Sequence, residues 1–160
     1  MHANAVMAQA NELARRALVS GFFAGLATAA AAAFFGALER RRPLAPINAT
    51  SHVIWGEEAA HAPQPELRYT LPGLALNFGA GVFWAAIYER LFGRAAEKSG
   101  STAVLGGAAV ATAAYLVDYH LVPSRLTPGW ERQISPRALA VVFGALALSL
   151  PVRSLAQRRR

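Results

Sequence analysis

The chain has 160 residues, of which 54% are hydrophobic and only 16% charged, with a net charge of +7 and no cysteine. About 25% charged residues is usual for a soluble domain, so the composition argues for a membrane protein, and the lack of cysteine excludes disulfides, thiolate nucleophiles and zinc–thiolate sites. The 15 Arg and single Lys flank apolar runs and form no continuous stripe, which reads as topology signalling and phospholipid contact and predicts no nucleic-acid partner.

Four windows carry no charge: residues 17–38, 69–88, 99–117 and 138–152, of 22, 20, 19 and 15 residues. At about 1.5 Å per residue the first two reach roughly 30–33 Å, enough for a hydrocarbon core. The predicted architecture is all-α: one integral membrane domain over residues 1–160, with four transmembrane helices at about 17–38, 70–90, 100–122 and 135–152. Arg15 and Arg16 ahead of an apolar run imitate a secretory leader. At 22 residues, however, the run exceeds the roughly 7–15 of a leader's apolar core, so it reads as a span.

In the first span, Gly21 and Gly25 place two missing side chains on one helical face, where a neighbour can approach closely. The second repeats a four-residue step, Gly73, Asn77, Gly81, Ala85; the third offers Ala103, Gly107, Ala111, and the fourth Ala140, Gly144. These stripes predict an Ala/Gly-packed four-helix bundle. Thr70-Leu71-Pro72 suits the start of the second helix, with proline in its first turn. Gly93 marks that helix's end, Pro123 the end of the third, and Ser135-Pro136 a capped start for the fourth. Thr127-Pro128-Gly129-Trp130 reads as a tight turn with glycine at positive φ.

With four spans, the termini and the loop near 89–98 share one side and carry nine cations, against seven on the other, counting Arg159 and Arg160. This bias predicts a multi-pass protein with cytoplasmic termini. The same parity puts the 39–68 and 118–137 connections together. Their side holds His52, His61 and His120 and six of the nine acids: Glu39, Glu57, Glu58, Glu66, Asp118 and Glu131.

The first connection, between Pro46 and Pro63, reads as a short interfacial helix capped by Asn48 or Ser51. In it Ile47, Ile54 and Trp55 dip into the interface while Glu57 and Glu58 stay wet. The predicted polar site is His52, Glu57, Glu58, His61, Asp118, His120 and Arg125. Asp118, one turn inside the third helix's end, calls for a cation, with Arg68 or Arg125 in reach. Asn77, deep in the second span, is expected to form an interhelical hydrogen bond, and Thr28 and Thr112 to bond their own helix carbonyls. Glu58-x-x-His61 has the spacing of di-metal carboxylate bundles, but such a site needs a second copy and two further glutamates inside the bundle. A single metal held by His52, Glu58, His61 and His120 is the weaker form of that reading.

The segments from Pro46 to His52, Trp55-Gly56-Glu57-Glu58, Phe83 to Glu89, Asp118-Tyr119-His120 and Arg125 to Glu131 resemble a group of uncharacterised small four-helix bacterial inner-membrane proteins. The likeness runs over about residues 17–152 and implies location and topology alone. No phosphate-binding Gly-rich loop, G-x-S-x-G elbow or H-E-x-x-H is present, so no catalytic residue and no cofactor is assigned. The chain therefore reads as a non-enzymatic structural or partner-binding component in contact with the lipid bilayer, with a membrane-protein partner or further copies of itself. The alternative is a small oligomeric transporter or channel using Asn77 and Asp118, and a third is a metal-binding membrane protein.

Overall fold

The computed structural model describes residues 2–62 and 64–158; Pro63, Arg159 and Arg160, which entered the boundary and the charge balance above, lie outside the described residues. Helix α1, His2–Arg40, runs 39 residues without a break. It starts well before the predicted span because residues 4–16 contain neither proline nor glycine to stop it. At its other end Arg41 takes a left-handed φ of 56° and turns the chain.

The first connection then folds as three short helices: α2, Ala45–Thr50, α3, His52–Trp55, and α4, Glu57–Ala60. The second span, α5, is Leu67–Tyr88. It starts three residues before Thr70 because the extended Glu66 provides the entry, its carbonyl accepting from both Tyr69 and Thr70 N–H. Pro72 therefore lies inside the helix. Gly93 does not end the rod either. A π turn, Glu89–Gly93, leads directly into α6, Arg94–Ala96. Helix α7, Gly100–Leu116, likewise passes into a π turn, Val117–Leu121, before the extended Val122 and Pro123 stop it. Helix α8, Pro136–Ser149, is capped by Ser135 Oγ, which accepts from Ala138 N–H at 3.2 Å. After Pro151 the chain closes with α9, Val152–Gln157.

Every regular element among the described residues is helical, and four helical stretches are long and apolar enough to cross a membrane. Helix α1 packs along α5 and α8, and α7 along α8 and α5, so the spans form a ring in the order α1, α5, α7, α8. The α1–α5 seam depends on missing side chains. A Cβ on Gly21 would lie 2.5 Å from Val82 Cα, and one on Gly81 would lie 2.8 Å from the Gly21 carbonyl oxygen. Backbones approach that closely only where at least one of the meeting residues lacks a side chain. In the same seam Asn77 Nδ2 donates to Gly25 O at 2.8 Å, and Thr28 Oγ1 lies 3.0 Å from Asn77 Oδ1, the interhelical bond expected of Asn77. Thr28 and Thr112 also reach their own helix carbonyls, Ala24 O and Ala108 O, both at 2.9 Å.

The fourth span departs from its stripe. Gly144 has no atom within 4 Å of where a Cβ would stand, and Ala140 is exposed, so this stripe faces outward. Inward from α8 point Leu139, Val142, Phe143 and Leu146. Phe22, Leu26, Phe34, Phe83, Leu105 and Leu148 are exposed on the outer surface, as a lipid-facing bundle requires.

Candidate functional site

The two connections dock on each other and close one end of the bundle. Residues 45–52 are buried throughout, so the first connection is an inserted plug more than an interfacial helix. Ile47, expected at the interface, is 2% exposed in the core, whereas Ile54 and Trp55 remain exposed. Asn48 and Ser51 do not cap helices with their side chains. Asn48 instead donates to Gln64 O at 2.7 Å and accepts from Thr70 Oγ1 at 2.7 Å, fastening α2 to the start of α5.

The second connection adds its own ties. His52 is fully buried, with Nδ1 2.8 Å from Ala49 O and Nε2 3.1 Å from Ser124 O. Arg125 donates through Nε to Val53 O and through Nη2 to Ile54 O, both at 3.2 Å. Gln133 Nε2 donates to Ala60 O at 2.7 Å, and Arg132 Nη1 to Glu57 Oε1 at 2.5 Å. That contact holds the Glu57 carboxyl below its usual value. Gly129, at φ 79°, makes the expected turn; a Cβ there would meet the Ala49 carbonyl. Glu39 at the end of α1 accepts from Ser135 N–H and Oγ at 2.8 and 2.6 Å, joining α1 to α8.

The seven residues predicted to form one site do not converge. His52 is used up by carbonyls inside the plug, and Arg125 by the α3 backbone. Glu57, Glu58 and His61 lie on the exposed surface, Glu58 accepting from Tyr69 Oη and facing Arg68. His120 is exposed beside Tyr115. Among the described residues, no three His, Asp or Glu side chains gather as metal ligands would. The cation expected for Asp118 is also absent. Arg68 faces Glu58 and stacks over Trp55 at 4.8 Å, Arg125 is spent on carbonyls, and Asp118 has no ion pair among the described residues.

Asp118 lines an interhelical cavity of about 210 Å³, largely apolar, together with Thr28, Asn77, Trp84, Trp130 and Phe143. Asn77 and Asp118, the amide and the acid that the sequence places within spans, thus border the same space. Their roles divide: Asn77 has both amide atoms committed to the α1–α5 seam, while the Asp118 carboxylate has no hydrogen-bond or ionic partner among the described residues.

The opposite end of the bundle holds a charge network that sequence reasoning missed. Arg153 donates through Nη2 and Nε to Glu89 at 2.6 and 2.8 Å and through Nη1 to Glu97 at 2.9 Å. Ser20 Oγ adds a 2.6 Å bond to Glu89, and Arg16 sits 3.1 Å from Glu97. The Glu89 and Arg153 side chains are 0% and 7% exposed. The available signal was parity: the three acids left on this side, Glu12, Glu89 and Glu97, are the ones that pair with Arg16 and Arg153.

Comparison with protein-family models, with curated proteins and with solved structures finds no match for this chain.

Proposed function

We propose that this multi-pass membrane protein works without covalent chemistry and holds a small, mostly apolar solute bearing one positive charge in the cavity around Asp118, as a transporter or solute-binding component. The observation that carries this reading is a carboxylate with no cationic partner among the described residues, facing an apolar interhelical space of about 210 Å³. A carboxylate inside a span is costly unless something offsets it, and the fold commits its nearby arginines elsewhere. A bound cation supplies the missing partner. The reading places the chain in a bacterial inner membrane, with the termini on the cytoplasmic side by the arginine bias. Uptake of tetraethylammonium into vesicles reconstituted with the protein tests it. Asp118→Asn should lower uptake by about tenfold or more, because the quaternary ammonium has no N–H to donate and depends on the carboxylate's charge alone. Equal uptake by wild type and Asp118→Asn removes the reading.

A partner-binding role is favoured by a separate observation. Ala108, Thr112, Tyr115, Ala140, Gly144 and Ala147 line an outward groove of about 390 Å³ between α7 and α8. Small residues let another helix come close, so this face suits a membrane partner or a second copy. Cross-linking through a cysteine at Ala140 that disappears in Gly144→Leu supports it.

A further inference from the structure

We propose that the cleft between the first four turns of α1 and the end of the α5 rod binds the phosphodiester headgroup of an anionic phospholipid. This site is independent of the Asp118 cavity and lies at the opposite end of the bundle. The cleft measures about 590 Å³ and is lined by Val6, Leu13, Leu91, Arg16, Arg90 and Arg94, with Glu12 and Glu89 beside them. Its acids are already engaged: Glu12 accepts from Arg15 and Arg16 at 3.0 and 2.7 Å, and Glu89 is held by Arg153 and Ser20. Arg16 is shared with Glu97. Arg90 and Arg94 are different. Both are exposed, and neither pairs with a carboxylate among the described residues. Four residues apart across the π turn, both line this one cleft.

Two further features narrow the ligand. Val6 and Leu91 are 63% and 64% exposed beside these cations, so the lining is apolar and cationic together. A phosphate ester meets the guanidinium groups through paired N–H···O bonds. A soluble phosphate leaves Leu91 bare, whereas a phospholipid covers it with its glycerol and upper acyl segments, since Leu91 lies only three residues past the second uncharged window. The level is also right. Uncharged windows end at residues 17 and 88 on this side, so the cleft lies where headgroups begin. Basic recesses at that depth attract anionic lipid.

The test uses the full chain purified in a neutral detergent, with dioleoylphosphatidylglycerol, dioleoylphosphatidylcholine and inorganic phosphate as probes, read by native mass spectrometry and by thermal stabilisation. Phosphatidylglycerol should bind about tenfold more tightly than phosphatidylcholine. The double variant Arg90→Gln/Arg94→Gln should lose that preference while keeping the wild-type melting temperature without lipid, since neither side chain has an ionic partner among the described residues. Leu91→Gln should weaken phosphatidylglycerol binding with both arginines present. Arg40→Gln/Arg42→Gln, which removes two charges from the other end, should leave the preference intact. An unchanged preference in the Arg90/Arg94 variant overturns the proposal. So does an equal loss in the Arg40/Arg42 variant, or displacement of the lipid by millimolar inorganic phosphate.

Discussion

Arg153 meets Glu89 side-on, with its Nη2 and Nε each bonded to a different carboxylate oxygen at 2.6 and 2.8 Å in a place that solvent does not reach. Desolvating two charges costs about as much as their attraction returns, so the intact pair adds little by itself. Removing one member leaves the other buried alone. Glu89→Ala or Arg153→Ala should therefore lose about 3–5 kcal/mol of stability, read by denaturant titration in detergent micelles. The double variant Glu89→Leu/Arg153→Leu should recover most of it, because Arg16 still faces Glu97.

Tight approach of α1 and α5 predicts a sharp contrast between glycines. Gly81→Leu should destabilise by at least about 1–3 kcal/mol, since its side chain has to enter the Gly21 backbone. Gly144→Ala points into open space and should stay within about 0.5 kcal/mol of wild type. Melting temperatures of the two variants in the same detergent decide this.

Asn77→Ala should cost roughly 1 kcal/mol, the usual worth of a polar contact between helices in lipid. It should leave tetraethylammonium uptake close to wild type once stability is matched, because the amide serves the α1–α5 seam. Uptake that falls with Asn77→Ala as far as with Asp118→Asn would instead make the amide a solute contact.

Docking of the two connections should weaken in acid. The Arg132 guanidinium bonded to Glu57 lowers that carboxyl from its ordinary value of 4.5. Since the folded value is the lower one, the contact contributes fully above about pH 4.5 and fades as the pH falls through the folded value. Amide exchange at Glu57–Ala60 should rise over that acidic range. In Glu57→Gln the rise should vanish.

Sidedness follows from the ring of four spans. Cysteines at His61 and His120, both exposed, should react with an impermeant maleimide from the same face of sealed vesicles, and one at Arg94 from the other. Labelling of positions 61 and 120 from opposite faces would break the four-span arrangement.

Span number, helix identity and the glycine seam were legible because they depend on local composition and on a four-residue step. Asn77 is the best case: one amide in an apolar window has few choices but a neighbouring helix. Boundaries were less legible. Nothing in residues 4–16 stops a helix, and the π turns at Glu89–Gly93 and Val117–Leu121 depend on tertiary packing. The polar site is narrower than sidedness suggests, because residues on one side of a bundle need not be neighbours. His52 faces carbonyls through both ring nitrogens, while His61 stays at the surface. Which arginine meets which acid depended on side-chain reach and burial, and composition says nothing about either.

Sixty-four residues separate Glu89 from Arg153, and that spacing imposes an order on biogenesis. A ribosome adds roughly 5–20 residues per second, so the carboxylate emerges about 3–13 seconds before the guanidinium that neutralises it. During that interval Glu89, one residue past the second uncharged window, has water for a partner in place of the guanidinium. The buried pair at this end of the bundle therefore closes only after α8 has been made.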